Sequence, residues 1–389
     1  MTPIPLIYSL RNLWQRRMTT VLTIAGIGLA VFVLAALLMV AEGLRHALVD
    51  SGSSDNAIFV RQPATSEGRS AISRHDAAAV EALPGIGRGV SGEKLIAREL
   101  AVPVDIPSAT GKRGIPVTFR GTGLHGLELR THARIAEGRF FRPMTDEVVL
   151  GAKAIGALSF HPGGFLEIGH RHWRIAGVFE ASNTALDNEI WGDVDQVMQS
   201  FRRLQYSSVL VRLDGDGGFA VLSRAVANDR RSELSAWIER DFYGQQADRL
   251  SRFLRTFALF MGAVFSVGAA AGATITMYAS VAHRTREIGT LRALGFESAS
   301  ILLSILTEAG LIGLLGGGAG VAAAAGLGGF SLTTLNVQTY SGITFQLLLT
   351  PEIGIEAVLF ALTLGIAGGL FPAWRATSIN IHDALRETG

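Results

Sequence analysis

The residue types that could do chemistry are sparse in this sequence, and they lack the neighbours that catalysis requires. The segment Gly111-Lys112-Arg113 is not a phosphate-binding P-loop, because an arginine stands where Ser or Thr is needed and a preceding glycine is missing. His161, His170 and His172 could approach a metal, but the same spacing is typical of surface histidines in a turn and a strand. No serine lies in a nucleophile-elbow sequence. We therefore expect no catalytic, cofactor-binding or metal-binding residues and no enzyme activity in this chain.

One carboxylate, Glu308, lies well inside an otherwise apolar run. Acidic residues within a membrane are candidates for function. Glu308 would sit roughly 15 Å from the near end of its helix. Two interpretations remain open: a polar contact between helices or a proton-sensitive switch, and a packing glutamate that faces a partner subunit or water.

The overall composition explains why such an acid would be unusual. Of the 389 residues, 48% are hydrophobic and only 17% are charged, whereas soluble chains average about 25% charged residues. The apolar residues are concentrated at the start and in the last third. There is no cysteine, which excludes disulfides and Cys nucleophiles. These features predict an integral membrane protein with a large water-exposed insertion and give no support for nucleic-acid binding.

Four apolar runs are long enough to cross a bilayer as helices. They predict transmembrane helices at 18–41, 256–283, 298–330 and 353–374. The first run is longer than the 7–15 apolar residues of a cleaved signal peptide, so we interpret it as an anchor. Glycines spaced by four favour close helix packing and a dimer face; they form the pairs Gly268/Gly272, Gly316/Gly320 and Gly365/Gly369.

The orientation follows from the arginines in the short loops. Eight arginines lie in the two termini and in the 284–297 loop, and none lies in the 331–352 loop. Both termini, 1–17 and 375–389, and the 284–297 loop are therefore expected in the cytoplasm. The 42–255 domain and the 331–352 loop are then extracytoplasmic.

The 42–255 domain has a mixed α+β pattern. Helical extensions of the flanking spans, or stalks, are expected at 43–50 and 233–255. Strands are predicted at 117–121, 147–151, 165–168, 172–179 and 208–213, and helices at 73–83, 151–158, 193–203 and 218–227.

The segment 284–297 has the pattern of a short amphipathic helix. Ile288, Leu291 and Leu294 form an apolar stripe, and Gly295 is a helix stop. The polar positions are Arg284, Arg286, Glu287 and Arg292. Such a helix either lies on the lipid surface or docks into a groove on a soluble partner.

At this point the sequence resembles a family, the FtsX-type and MacB-type ABC transporter permeases. The resemblance is carried by RTREIGTLRALG at 284–295, LTEAGLIGLLGG at 306–317, GGLFPAWRA at 368–376 and DALR at 383–386. The order of one span, a large outer domain and three spans agrees with the family. It implies the type VII, or mechanotransmission, class, in which substrate is handled outside the membrane.

The resemblance implies a dimer of permease chains, either homodimer or heterodimer, working with an ABC ATPase that binds ATP and magnesium. Residues 1–17 would form an amphipathic cytoplasmic helix, and 284–297 would hold the coupling helix. The ATPase would contact Arg284, Arg286, Glu287, Ile288, Leu291, Arg292 and Leu294. Because the sequence starts 17 residues before its first span, we expect a separate ATPase subunit, as in the stand-alone DevC-type and LolC/LolE permeases.

Three functions follow from the resemblance. The first is export of a hydrophobic or amphipathic substrate across the bacterial inner membrane, with a periplasmic adaptor, an outer-membrane channel and membrane lipids as further partners. The second is lipoprotein release, as in LolC/LolE. The third is FtsX-like signalling to a periplasmic wall hydrolase.

Overall fold

The computed structural model describes residues 17–106, 115–158, 161–228, 233–336 and 341–378. The helices of this part are α1 (Arg17–Val49), α2 (Arg74–Ala82), α3 (Gly126–Leu129), α4 (Ala152–Leu158), α5 (Val194–Ser200), α6 (Gly218–Asn228), α7 (Glu239–His283), α8 (Thr285–Ala293), α9 (Ser298–Ala325) and α10 (Pro351–Thr377). The strands are β1 (Asn56–Arg61), β2 (Ile96–Ile106), β3 (Ile115–Thr122), β4 (Arg134–Gly138), β5 (Glu147–Gly151), β6 (Phe165–Ile168), β7 (Arg171–Glu180), β8 (Glu189–Asp193), β9 (Ser208–Arg212), β10 (Leu234–Ile238), β11 (Ser331–Asn336) and β12 (Ser341–Gln346). Short 3₁₀ turns occupy Glu67–Arg69 and Ala185–Asn188.

Within this part, α1, α7, α9 and α10 are long and apolar enough to cross a membrane. The prediction of four spans with a large α+β domain after the first is confirmed. The chain divides into two compact units. The membrane unit holds the described residues of 1–42, 252–330 and 347–389, and the inserted unit holds those of 43–251 and 331–346. The predicted helix over residues 1–17 and the tail beyond 378 lie outside the described residues, apart from Arg17 at the start of α1.

Glycines bring the helices of the membrane unit together. A Cβ on Gly320 of α9 would lie 2.6 Å from the carbonyl oxygen of Gly28 in α1. A Cβ on Gly365 of α10 would lie 2.5 Å from the carbonyl oxygen of Ala309 in α9. Two of the predicted pairs therefore lie at helix contacts, as small residues in lipid-embedded helices do. The third pair, in α7, has no described atom within 4 Å of the built Cβ positions.

The inserted unit is built on a ten-stranded mixed sheet in the order β10-β1-β9-β2-β3-β8-β5-β7-β4, with β6 beside β7. β3 pairs with β8 in parallel, as β5 does with β7. The other pairs along the sheet are antiparallel. Inward-facing apolar side chains of these strands form the core, in which Phe119 packs edge-on against Trp173 at 4.9 Å between ring centroids.

The five predicted strands and four predicted helices of this unit are confirmed as β3, β5, β6, β7 and β9, and as α2, α4, α5 and α6. The prediction of helix at 233–238 is wrong. Residues 234–238 form strand β10, because each of them pairs with a residue of β1. The long stalk helix begins only at Glu239.

The segment between α9 and α10 is a β-hairpin that folds as part of the inserted unit. Lys153 Nζ donates a hydrogen bond to the Thr344 carbonyl oxygen at 3.0 Å. Asn188 Nδ2 donates to the Gly342 carbonyl oxygen. A Cβ on Gly342 would lie 2.6 Å from the Pro116 carbonyl oxygen, so the hairpin backbone lies directly against β3. The sequence identified this segment only as a loop.

Candidate functional site

The predicted coupling segment forms α8, which connects α7 to α9. Arg284 occupies the N-cap position, and the helix ends before Gly295. Gly295 has a φ of 91°, in the left-handed region that glycine adopts without steric cost. The helix and its stop therefore lie where the sequence places them.

Glu308 contacts this helix at its first turn. Arg284 Nη1 donates to Glu308 Oε2 at 3.0 Å, and Arg284 Nε donates to Glu287 Oε2 at 3.3 Å. The side chains of Arg284 and Glu308 are only 14% and 7% exposed. Of the interpretations that the sequence left open, this geometry matches the polar contact between helices, here between two helices of the same chain. It connects the start of α8 to the middle of α9.

The seven predicted ATPase-contact residues do not share one face. Ile288 and Leu291 line a small cavity of about 20 Å³ together with residues of α7 and α9, so they face the chain's own spans. Arg292 Nη1 donates to the Thr377 carbonyl oxygen at 3.3 Å, beside the end of α10. The members that present an exposed surface are Arg286, Glu287 and Leu294, and Leu294 is 72% exposed.

A second constellation lies inside the inserted unit and was not predicted. We call it the charge cluster; its members are Glu67, Glu99, Arg120, Arg130, Glu189 and Glu239. At its centre, Arg120 is 2% exposed. Its guanidinium makes five hydrogen bonds, two to Glu67, two to Glu189 and one to Glu99, at 2.7–3.1 Å. An arginine has five N–H donors, so every donor of Arg120 is used by a carboxylate.

The second guanidinium extends the charge cluster towards the start of α7. Arg130 donates to both oxygens of Glu99 at 2.6 and 2.8 Å, and its guanidinium lies 5.4 Å from the Trp191 ring centroid. Its Nη2 is 3.9 Å from Glu239 Oε1. Glu239 Oε2 accepts hydrogen bonds from Ser53 N and Asn56 Nδ2. Within the described part of the chain, Glu239 Oε1 is buried without a hydrogen-bond partner.

These contacts lower the pKa of two carboxylates of the cluster, whereas the pKa of a third is raised. Burial alone would raise the pKa of Glu99, but the charges of Arg130 and Arg120 outweigh it, and the pKa falls to about 2. Burial is likewise outweighed at Glu67, whose pKa is lowered by Arg120. At Glu239 burial is the stronger effect, and the pKa is raised despite the nearby charge of Arg130.

Sequence reasoning missed this cluster because each charged residue, taken alone, resembles a surface residue. A signal was nevertheless available. Arg120 lies within the predicted strand 117–121, between the apolar Phe119 and Gly121. A charge in the middle of a strand that is buried on both faces requires a partner.

A cavity of about 60 Å³ borders the charge cluster. It lies where the 3₁₀ turn at 185–188, the hairpin strand β12 and the ends of α1 and α7 meet the sheet. Its apolar walls include Leu48, Leu186 and Ile343, and its polar walls include Asn188, Glu189 and Gln246. The three histidines singled out in the sequence are elsewhere; His170 lies in the β6–β7 turn, and no metal-binding group of three His, Cys, Asp or Glu occurs among the described residues.

Comparisons with known proteins match both units. The model of the MacB-like periplasmic core domain matches residues 20–228, and that of the FtsX-like permease C-terminal region matches residues 259–381. The first of these matches covers more than half of the chain.

The chain is also similar to individual proteins of known sequence or structure. The chain is 26% identical over 411 residues to the macrolide export ATP-binding/permease protein MacB of Hahella chejuensis, covering 95% of this chain and 58% of that protein. It is 34% identical over 143 residues to the uncharacterized ABC transporter permease YvrN of Bacillus subtilis, covering 36% of this chain and 33% of that protein. The periplasmic region of MacB from Actinobacillus actinomycetemcomitans gives a TM-score of 0.39 at 13% identity and covers 51% of this chain and 94% of that one. The chain thus spans little more than half the length of the MacB relatives.

Proposed function

We propose that this chain, which belongs to the family of FtsX-like and MacB-like ABC transporter permeases, relays the ATP-driven motion of an ABC ATPase to its inserted unit. In this proposal, that motion drives export of a hydrophobic or amphipathic substrate across the bacterial inner membrane. The observation that carries the proposal is the short helix α8 between two spans, within the region that the FtsX-like model matches. The arginines of the short loops support a cytoplasmic α8 and a periplasmic inserted unit.

In this mechanism the ATPase contacts α8 through its exposed surface, Arg286, Glu287 and Leu294. Movement of α8 is passed to α9 through the Arg284–Glu308 ion pair and the packing of Ile288. It is passed to α7 directly along the chain. The 45 residues of α7 form one continuous helix of about 68 Å, which is far longer than a bilayer core of roughly 30 Å. A continuous helix transmits an axial shift without needing a flexible joint.

The partners in this proposal are an ABC ATPase and a second permease chain. The apolar face of α7 supports the second chain, because Phe260 and Val267 are 63% and 72% exposed and Gly268 and Gly272 lie in open space. A periplasmic adaptor, an outer-membrane channel and membrane lipids complete the proposed assembly.

The test is co-purification of the tagged full chain in a mild detergent, with mass spectrometry of the retained proteins. We expect an ABC ATPase to be retained, and to be lost in the Leu294→Asp variant because a charge would enter an apolar contact. The matched control is Leu124→Asp, since Leu124 is 64% exposed but lies in the inserted unit. No ATPase with the wild-type chain, or equal retention by both variants, would contradict the proposal. Retained lipoproteins would instead indicate lipoprotein release.

A further inference from the structure

The cavity beside the charge cluster is lined by buried polar side chains that include the carboxylate of Glu189 and the amides of Asn188 and Gln246. Asn188 is 3% exposed and borders the cavity, and its Nδ2 donates a hydrogen bond to the Gly342 carbonyl oxygen. Glu189 Oε1 accepts one hydrogen bond, from Arg120, and a carboxylate oxygen accepts two. Gln246 is 5% exposed, and its carboxamide has no hydrogen-bond partner among the described residues. Buried polar groups normally have a partner, so the Gln246 carboxamide indicates an occupant of the cavity, and Glu189 Oε1 has room to accept a second hydrogen bond from it.

The charged residues around the cavity favour an occupant with a positive charge. Among the residues bordering the cavity, the carboxylates of Glu67 and Glu189 face the single guanidinium of Arg120. All five donors of Arg120 are already held by carboxylates, so none is available to an anion. An occupant that donates hydrogen bonds and carries a positive charge would satisfy the open acceptors and balance the excess negative charge.

The size and the walls of the cavity select the type of cation. A volume of about 60 Å³ holds a few water molecules or one small organic group, since one water needs roughly 10–15 Å³. Leu48, Leu186 and Ile343 are each at most 5% exposed and form an apolar side of the cavity lining. An inorganic ion would leave this apolar side without contacts, whereas a short alkyl group would pack against it.

We propose that this cavity of the inserted unit is a binding site for a small organic cation, an ammonium group with a short apolar body. The ammonium group donates to Asn188 Oδ1, Glu189 Oε1 and the Gln246 carboxamide oxygen, and the apolar body packs against Leu48, Leu186 and Ile343. An occupant would touch the turn at 185–188, the β11–β12 hairpin and both stalk helices at once. The proposal does not depend on export as the function of the chain.

The test is a titration of the purified full chain with n-propylammonium chloride at neutral pH, followed by ligand-observed NMR. We expect saturable binding in the millimolar range, which suits a ligand of four heavy atoms. The neutral analogue 1-propanol, of nearly the same size, should bind roughly tenfold or more weakly because it lacks the charge.

Two variants locate the binding. Gln246→Leu removes one acceptor and should weaken propylammonium binding about tenfold. Gln245→Leu, which changes the adjacent glutamine outside the cavity, is the matched control and should bind as the wild type does. A second variant, Ala101→Leu, fills the cavity from β2 and should abolish binding. An unchanged tryptophan emission spectrum is the check of folding. Absence of saturable binding, equal affinity for the alcohol, or equal affinity of the two glutamine variants would overturn the proposal.

Discussion

Replacement of Arg120 by methionine tests whether the charge cluster holds the inserted unit together. The substitution keeps an unbranched side chain of similar length but removes all five N–H donors. It leaves Glu67 and Glu189 buried without a guanidinium, while Glu99 retains Arg130. Removing one partner from a buried ion pair costs about 3–5 kcal/mol, because the remaining charge is left desolvated.

That loss of unfolding free energy corresponds to a fall in Tm of roughly 6–20 °C for a unit of 150–250 residues. The assay is thermal unfolding of the full chain in detergent, followed by tryptophan fluorescence, because Trp173 and Trp191 are fully buried in the inserted unit. Arg134→Met is the matched control. Arg134 forms an exposed ion pair with Glu180, so its loss should shift Tm very little.

The pH dependence gives a second check with a definite sign. In the wild type, the pKa of Glu99 is about 2 and that of Glu67 is lowered. Their contribution to stability is therefore present above the ordinary carboxyl pKa and is lost as the pH falls towards 2. In Arg120→Met, the unpaired carboxylates favour protonation, so the deficit should be largest near neutral pH and shrink towards pH 5. A Tm within about 2 °C of the wild type, or a shift equal to that of Arg134→Met, would refute the reasoning.

Three further predictions concern other contacts. Burial raises the pKa of Glu239, so its contribution to stability is present below about pH 4.5 and is lost as the pH rises through the raised pKa. In a series of thermal melts between pH 5 and 8, the Tm of Glu239→Gln should therefore decline less than the Tm of the wild type. Gly365→Leu should lower the Tm of the membrane unit by overpacking against the Ala309 carbonyl oxygen, at a cost of about 1–3 kcal/mol. Gly318→Leu in α9, where a Cβ would meet no described atom within 4 Å, is the matched control and should leave the Tm unchanged; equal melts would contradict the helix contact. Arg284→Glu and Glu308→Arg should each lower ATPase activity of the assembled complex, and the double variant should restore part of it; additive losses would show that the pair does not transmit movement.

The membrane unit was largely predictable, because a bilayer imposes simple rules on sequence. Each span requires about 20 apolar residues, and close helix contacts require small side chains. The pairs Gly316/Gly320 and Gly365/Gly369 lie at such contacts. The position of the short helix α8 was also readable from the sequence, since Gly295 follows its end in a left-handed conformation.

The inserted unit was less predictable, because long-range pairing decides its structure. The residues 234–238 have apolar spacing that suits a helix, yet pairing with β1 makes them a strand. The hairpin between α9 and α10 carries no strong turn signal, and its place in the inserted unit depends on contacts with Asn188 and Lys153. The members of the charge cluster are spread along the chain from Glu67 to Glu239, and Tyr243, 176 positions after Glu67, donates a hydrogen bond to it. Local sequence patterns cannot show such contacts.

The central claim, that ATP-driven motion passes through α8 to the inserted unit, can be measured directly with spin labels. The chain has no cysteine, so cysteines introduced at Val90 and Leu303 would be its only labelling sites. Both positions are exposed, the first in the inserted unit and the second in α9. In the complex with its ATPase, we predict that a non-hydrolysable ATP analogue shifts the distance distribution between the labels, and that Leu294→Asp abolishes the shift. A distribution that does not respond to nucleotide, or that responds equally in the variant, would contradict the account.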